Sequence, residues 1–360
     1  MQFSQKSRDN IEACRFCWMC HHICPIGNAS GQERNGARAR ALGLSLVARE
    51  AIEYTDDVVN NVYECALCGG CVTDCITGLD PVLFTKEARK IAALEDRLPE
   101  YINKMLDVYE GCGNIYGEEK SAELTAKIKS LKAADTLFFI GMDGTYKTPC
   151  KAIKAIELME KIGNPFTVLE NEPDSGFAMN FMVGAVEETT EIAKNAAKAL
   201  ADYKTVVCYD ANDAAMFLRE YKEWGIEVAP KVVTFTAYIA ENLAKLNIKK
   251  SNKAYTIQDP AALVRDIEET EELRKIVEAM GENREMLLNR KETMLAGNLI
   301  MNEYMPEIIE KVAENRWANA VNMNAETVVT ASPAEYALLK AVKPENVELV
   351  TVEEAVLACL

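Results

Sequence analysis

Two cysteine runs decide the first third of this chain: Cys14-Arg-Phe-Cys-Trp-Met-Cys-His-His-Ile-Cys24-Pro25 and Cys65-Ala-Leu-Cys-Gly-Gly-Cys-Val-Thr-Asp-Cys75. In each run three cysteines are spaced by two residues, and a fourth follows after three more. They supply eight of the twelve cysteines; the other four are scattered, at Cys112, Cys150, Cys208 and Cys359. Because the N-terminus shows no export signal, the runs predict metal ligands rather than disulfides.

The spacing is that of bacterial two-cluster ferredoxins. A 4Fe-4S cube presents four irons at its corners, and a loop with cysteines spaced by two can bind three of them. In such ferredoxins the last cysteine of each run binds the other cluster. We therefore predict one cluster held by Cys14, Cys17, Cys20 and Cys75, and a second held by Cys65, Cys68, Cys71 and Cys24.

Zinc is the alternative metal for clustered cysteines, but structural zinc sites normally use paired C-x2-C knuckles rather than triply spaced runs. His21 and His22 lie inside the first run. They are either ligands or a polar pair, and the second interpretation is favoured because four cysteines already serve each cube. We expect Phe16, Trp18 and Met19 to shield the first cluster from water.

Composition and charge indicate a globular protein that docks onto other proteins. Hydrophobic residues make up 49% of the chain and charged residues 27%. Because no apolar run approaches about 18 residues and no signal segment is visible, we predict a cytoplasmic protein without a transmembrane segment. A net charge of -16 disfavours nucleic acid as a partner. Residues 1–50 are locally basic, which suits either an acidic partner or charge compensation near an anionic cluster.

The periodicity of apolar residues divides the chain into domains. Helical spacing between and after the cysteine runs predicts a helical ferredoxin domain over residues 1–110. Three glycines in the next segment break the periodicity, so we predict a linker over residues 111–132. Beyond it, short β-like runs at residues 136–140, 166–169, 205–209 and 232–235 alternate with amphipathic helices, which is typical of α/β units with a mainly parallel sheet.

The α/β region contains an internal repeat. The matching pairs, in the same order in both copies, are Met159-Glu-Lys-Ile-Gly with Val277-Glu-Ala-Met-Gly, Lys204-Thr-Val-Val with Glu326-Thr-Val-Val, and Val233-Thr-Phe-Thr with Val350-Thr-Val-Glu. Two similar halves, residues 133–250 and 251–360, explain all three matches, and chance similarity among helices is the alternative. The predicted fold class is α+β and multidomain: a helical two-cluster ferredoxin domain followed by a duplicated α/β domain.

The first cysteine run, the Arg-rich helix after it and the second run resemble the iron–sulfur subunits of glycolate oxidase, anaerobic glycerol-3-phosphate dehydrogenase and heterodisulfide reductase. The resemblance covers essentially the whole chain, including Gly113-Asn-Ile-Tyr-Gly before the first half. It implies a ferredoxin module followed by a duplicated cysteine-rich domain. It also implies that the partner is a flavin-binding dehydrogenase.

The second part of the chain departs from that family. Members carry Cys-Cys-Gly motifs and further cysteines in each half, which in some of them bind an additional catalytic cluster. In this chain the corresponding positions read Asp174-Ser-Gly, Leu295-Ala-Gly, Asp210-Ala-Asn-Asp, Ser332-Pro-Ala-Glu and Met142. We therefore expect no third cluster.

Dinucleotide, phosphate-loop and nucleophile-elbow motifs are missing, so we expect neither flavin nor nicotinamide to bind to this chain itself. The sequence predicts an electron-transfer subunit that connects a flavin-dependent dehydrogenase, acting on a small hydroxy acid or related compound, with an electron-transfer flavoprotein or other redox carrier. Two alternatives stay open. One is a catalytic subunit that reduces a disulfide or quinone through the C-terminal domain, and the other is a zinc-stabilised interaction scaffold.

Overall fold

The computed structural model describes residues 2–360, which divide into two compact units. The first unit comprises the chain up to Gly117 together with Ala178–Thr190 and Ile300–Val312. The second comprises Glu118–Phe177, Glu191–Leu299 and Ala313–Leu360. The division predicted at residues 110, 132 and 250 stays a prediction. No helix within residues 2–360 combines the length and the apolar character needed to cross a membrane.

The part of the first unit before residue 118 is built from helices, and the structure describes no strand there. They are α1 (Gln5–Ala13), α2 (Pro25–Ser30), α3 (Ala37–Ala48), α4 (Asp56–Tyr63), α5 (Gly70–Thr73), α6 (Pro81–Leu94) and α7 (Glu100–Cys112). The predicted helices between and after the two cysteine runs are therefore confirmed as α3 and α6.

Short polar side chains begin these helices. Ser4 caps α1 and Thr55 caps α4, in each case by accepting a backbone N–H from the first turn. The Asp80 carboxylate accepts the N–H groups of Val82 and Leu83 at 2.9 and 3.0 Å, and Pro81 follows it at the first helical position. Asp80 therefore starts α6 only five residues after Cys75.

The buried face of α6 differs from the one expected. Phe84, Ala88 and Ala92 form a fully buried stripe at four-residue spacing, and Arg89 is buried beside it. The sequence spacing predicts one apolar face made of Val82, Leu83, Ala88, Ile91 and Leu94, but Leu94 is 67% exposed. Because Leu94 lies at the last helical position and off this stripe, its hydrophobic character does not predict whether it is buried.

The second unit contains two sheets whose strands are all parallel. The first sheet has the order β1-β2-β3 and the second β5-β4-β6-β7. The strands are β1 (Thr136–Phe139), β2 (Thr205–Cys208), β3 (Lys231–Thr234), β4 (Ala254–Gln258), β5 (Glu282–Asn283), β6 (Thr327–Thr330) and β7 (Glu348–Thr351). The predicted α+β class with parallel sheets is confirmed.

Helices connect these strands. They are α8 (Ala122–Lys129), α9 (Met142–Tyr146), α10 (Pro149–Ile162), α11 (Phe177–Val183), α12 (Glu187–Leu200), α13 (Ala211–Ala215), α14 (Tyr221–Glu223), α15 (Phe235–Asn242), α16 (Glu272–Met280), α17 (Leu299–Asn302), α18 (Pro306–Val321), α19 (Pro333–Ala341) and α20 (Val352–Leu357). Helix α8 lies within the segment predicted to be a linker. Buried residues of both sheets, including Phe138, Val207, Ile257 and Val329, share one hydrophobic core.

The two sheets have the same strand order once one isolated bridge is included. Thr167 pairs with Leu137 on the free side of β1, in the position that β5 has beside β4. The run at residues 166–169 was predicted to be a strand, and it forms only this bridge. The three sequence matches fall on the ends of α10 and α16, on β2 and β6, and on the β3–α15 and β7–α20 junctions. This order supports a duplication, which stays a prediction.

Candidate metal centre

The eight cysteines of the two runs border two cavities in the first unit. One is lined by Cys14, Cys17, Cys20, Cys71 and Cys75, and the other by Cys24, Cys65, Cys68 and Cys71. Ala37 and Cys71 line both cavities, so the two lie side by side. Each cysteine quartet predicted for one cluster thus borders one cavity.

The two runs start with the same unusual loop. Phe16 and Leu67, each two residues after the first cysteine of its run, have φ angles of 51° and 53°. This left-handed conformation is uncommon for residues with a side chain. It turns the Phe16 N–H toward Cys14 Sγ at 3.4 Å and the Leu67 N–H toward Cys65 Sγ at 3.4 Å. The backbone of each loop is therefore arranged to stabilise negative charge on sulfur.

The fourth cysteine of each run also accepts a backbone N–H. Cys24 begins α2 and accepts from Gly27 at 3.4 Å, whereas Cys75 accepts from Leu79 at 3.3 Å. Pro25 lets α2 start directly after Cys24. Since the second run lacks this proline, a turn follows Cys75 and the next helix starts only at Pro81.

Burial opposes ionisation of these thiols. Desolvation raises the pKa of Cys14, Cys20 and Cys24, and it raises the pKa of Cys71 well above the ordinary value. Four partly buried thiols become thiolates together only where positive charge compensates them, and a bound metal supplies that charge. The donor set and the cavities thus fit iron–sulfur clusters.

Two arginines of α3 lie at these cavities. Arg38 lines the first cavity and is half-buried; its Nε donates to the Phe16 carbonyl at 2.6 Å, and it forms an ion pair with Glu33. Arg40 lines the second cavity and is only 2% exposed. Its Nη1 donates to the Asn35 carbonyl at 2.8 Å, while its Nε is buried without a hydrogen-bond partner among residues 2–360. A buried cation with an unused donor fits an anionic group in that cavity.

The electrostatic environment of Arg40 comes from the second quartet. Desolvation lowers the pKa of the Arg40 guanidinium, but the Cys65, Cys24 and Cys71 thiolates raise it, and the net shift is upward. Sequence reasoning did not single out this residue. The local excess of arginine in residues 1–50 was the available signal, and the placement of Arg40 supports its interpretation as charge compensation.

A hydrogen-bond network holds the start of the second run. Glu64, directly before Cys65, accepts from Arg34 Nε at 3.0 Å, from Asn35 Nδ2 at 2.6 Å and from Asn61 Nδ2 at 3.0 Å. Because Arg34 and Asn35 precede α3, this carboxylate fixes the second run against the segment that follows the first.

Of the three residues expected to shield the first cluster from water, Met19 alone lines the first cavity. Trp18 and Met19 are 56% and 50% exposed, and Cys17 beside them is also exposed. The Trp18 ring packs on the Arg38 guanidinium, 4.5 Å from its centroid, on the surface of the unit. His22 lies close to the second run, with Nε2 3.1 Å from Asp74 Oδ2.

In the second unit, oxygen groups meet at the positions where the family resemblance would place cysteines. The Ser175 hydroxyl donates to Asp213 in one half, and Glu335 accepts the Ala296 N–H at 3.2 Å in the other. Burial raises the pKa of Asp213 well above its ordinary value and that of Glu335 to about 7. Within residues 2–360, no group of three or more His, Cys, Asp or Glu is arranged to hold a single metal ion.

The four scattered cysteines lie apart from both cavities described above. Cys208 and Cys359 are buried in hydrophobic clusters of the second unit, and Cys112 and Cys150 are exposed. None of the four lines either cysteine-bordered cavity, so none is placed to complete a quartet.

Residues 10–79 match a protein-family model described as a 4Fe-4S dicluster domain, and this span contains all eight cysteines of the two runs. Among solved structures, glutamate racemase RacE1 from Bacillus anthracis covers 62% of this chain and 78% of its own, with 14% identity and a TM-score of 0.29. This structural likeness is too low to bear on fold or function.

The similar proteins of known activity are components of reductases. One subunit of the dihydromethanophenazine:CoB–CoM heterodisulfide reductase of Methanosarcina acetivorans is 24% identical, over 90% of this chain and 87% of its own length. Its counterpart from Methanosarcina barkeri is 22% identical, with the same coverage. One subunit of the fumarate reductase (CoM/CoB) of Methanothermobacter marburgensis is 20% identical, and the alignment spans 90% of this chain but 66% of that protein. The chain therefore contains a 4Fe-4S dicluster domain and, over nine-tenths of its length, is similar to subunits of heterodisulfide reductases.

Proposed function

We propose that this chain relays electrons through two 4Fe-4S clusters, between a flavin-dependent dehydrogenase partner and another redox carrier. The observation that carries the proposal is the pair of adjacent cavities, each bordered by one of the two predicted cysteine quartets of the dicluster domain. When bound, each cluster accepts and releases electrons at a potential set by its protein surroundings.

The proposed ligands are those of the crossed pattern, with Cys75 completing the first quartet and Cys24 the second. This assignment is supported by the lining of the cavities, since Cys75 borders the cavity of Cys14, Cys17 and Cys20. Cys24 likewise borders the cavity of the second run. Crossed ligation would hold the two clusters next to each other, as a relay requires.

The residues around the two cavities differ in their access to solvent. Cys17 and Trp18 are exposed beside the first cavity, whereas the second is lined by buried residues such as Ile26, Ala66 and Arg40. The first site would therefore exchange electrons with an external carrier. The second would hold the electron away from water.

A flavin-binding dehydrogenase that oxidises a small hydroxy acid, or a related compound, is the partner we propose. Support comes from the relatives, which are named as individual subunits of multi-subunit reductases. The dicluster domain supplies electron carriers, and the dehydrogenase would supply the substrate chemistry.

The test is reconstitution under anaerobic conditions. The purified chain should bleach on reduction, recover its colour on oxidation and oxidise no hydroxy acid with an artificial electron acceptor. Addition of a flavoprotein that co-purifies with it should allow the hydroxy acid to reduce the clusters. Hydroxy-acid oxidation by the isolated, flavin-free chain would contradict the relay.

A catalytic role in disulfide reduction is the second candidate, favoured by the similarity to the heterodisulfide reductase of Methanosarcina acetivorans over 90% of the chain. It would require a further redox group in the second unit, where the expected cysteine positions hold Asp174, Ser175, Asp213 and Glu335. Reduction of the CoB–CoM heterodisulfide by the isolated chain with reduced viologen would support this candidate. An iron content clearly above about eight per chain would support it as well.

A further inference from the structure

The two proposed cluster sites differ in the arginines that line them. Exposed Arg15 and half-buried Arg38 line the first cavity, and Arg40 lines the second. Arg38 and Arg40 come from the first turn of α3, two residues apart. Arg38 is half-buried and its charge is shared with Glu33. Arg40 is 2% exposed, and no ion pair of its guanidinium is present among residues 2–360.

The position of Arg40 is fixed by its surroundings. Its Nη1 donates to the Asn35 carbonyl, and the Asn35 side chain is bound by Ser30 Oγ and Glu64 Oε2, each at 2.6 Å. Glu64, a carboxylate close enough to interact with Arg40, is itself bound by Arg34 and Asn61. The guanidinium is therefore held at the second cavity while its Nε–H remains without a partner there.

We propose that Arg40 is a positioning residue for the second cluster: it donates its Nε–H toward the sulfur atoms of that site and raises the reduction potential of the cluster. This inference rests on the proposed function. Reduction adds one negative charge to an already anionic group. A buried cation stabilises the reduced form more than the oxidised form, because little water screens the interaction.

This arrangement also sets which of the two clusters has the higher reduction potential. Charge and hydrogen bonds to sulfur are known levers on cluster potential. The second site has a buried cation without an ion pair, whereas the cations at the first site are exposed Arg15 and Arg38, which is paired with Glu33. An electron that enters at the exposed first site would therefore move to the second.

The experiment compares the whole chain with Arg40→Met, Arg40→Lys and the matched control Arg38→Met. All four proteins are prepared anaerobically, analysed for iron and titrated potentiometrically with detection of the reduced clusters by electron paramagnetic resonance. In Arg40→Met, one of the two cluster-reduction steps should move to lower potential. At a fixed potential the ratio of reduced to oxidised cluster should fall at least tenfold, which corresponds to a shift of about 59 mV. Arg40→Lys should recover most of that loss, and Arg38→Met should change the same step less than threefold.

Each outcome decides the inference. An Arg40→Met protein with full iron content and an unchanged titration would overturn it. If Arg40→Met loses about four irons, retention of them in Arg40→Lys supports the role of the charge, and their loss in both variants refutes it. A wild-type chain without about eight irons would instead refute the proposed function itself, and the role of Arg40 would fall with it.

Discussion

Arg89, on α6, connects the second cysteine run to the core of the first unit. Its guanidinium lies between the rings of Tyr63 and Phe181, 4.8 and 4.5 Å from their centroids. It donates to the carbonyls of Val62, Cys65 and Phe181 at distances from 2.6 to 3.2 Å. A single buried side chain therefore satisfies three backbone acceptors, one of them on a proposed cluster ligand.

Replacement of Arg89 with methionine should strongly destabilise the first unit. The three carbonyls would stay buried without a donor, and at about 1 to 3 kcal/mol for each unsatisfied group we expect a loss of about 3 kcal/mol or more. Chemical unfolding followed by circular dichroism measures this. The matched control is Arg97→Met, which removes a more exposed arginine paired with Asp56 and should cost less than about 1 kcal/mol. Equal losses in the two variants would disprove the role assigned to Arg89.

At the scale of elements, the two cysteine runs should exchange their last ligands. Crossed ligation predicts that Cys17→Ala and Cys75→Ala remove the same cluster. The double variant should then keep about four irons, like either single variant. Combining Cys17→Ala with Cys24→Ala should remove both clusters.

Iron and acid-labile sulfide analysis of these variants decides between crossed and uncrossed ligation. If each run served its own cluster, the two double variants would exchange their results. Cys112→Ala, an exposed cysteine outside the runs, is the control and should leave the iron content unchanged.

Elements with strong local sequence signals were predicted correctly. Features that depend on contacts between residues distant in the sequence were not. Helices α3 and α6 and the strands β1, β2 and β3 follow from local periodicity. The run at residues 166–169 has a strand-like composition, yet only Thr167 finds a partner on β1. Cysteine spacing predicted which thiols border each cavity. The burial of Arg40 could not be predicted, because an arginine on a short helix is normally solvated.

At the scale of the whole molecule, sequence periodicity could not assign segments to units. Ala178–Thr190 and Ile300–Val312 belong to the first unit although at least 60 residues separate each from Gly117. Each segment follows one of the positions where the family resemblance would place Cys-Cys-Gly, Asp174-Ser-Gly and Leu295-Ala-Gly. Local patterns carry no information about such long-range association.

Buried carboxyl groups should make the stability of the second unit depend on pH. Burial raises the pKa of Glu172, Asp210, Glu335 and Glu353 to about 7. The unfolded values are near 4, so between about pH 4 and 7 the folded state binds more protons than the unfolded state. The free energy of unfolding should therefore fall as pH rises through this window and level off above it.

Glu353→Gln tests this dependence at one site. Glu353 Oε1 accepts from Tyr209 at 2.8 Å, and its Oε2 is buried without a partner among residues 2–360. Glutamine keeps the shape and the acceptor but removes the charge, so the stability gained at pH 8 should exceed that at pH 5 by about 1 kcal/mol or more. Urea unfolding at the two pH values measures the difference. The neighbouring Glu354→Gln, which loses an ion pair with Lys151, should show no such gain, and a gain independent of pH in Glu353→Gln would exclude the proposed cause.

Iron and acid-labile sulfide content of the anaerobically purified chain tests the central claim most directly. Two cubes held by the eight cysteines predict about eight irons and about eight sulfides per chain, and a brown colour that fades on reduction. A colourless protein that contains zinc, or one whose eight cysteines are joined as disulfides, would contradict the redox function.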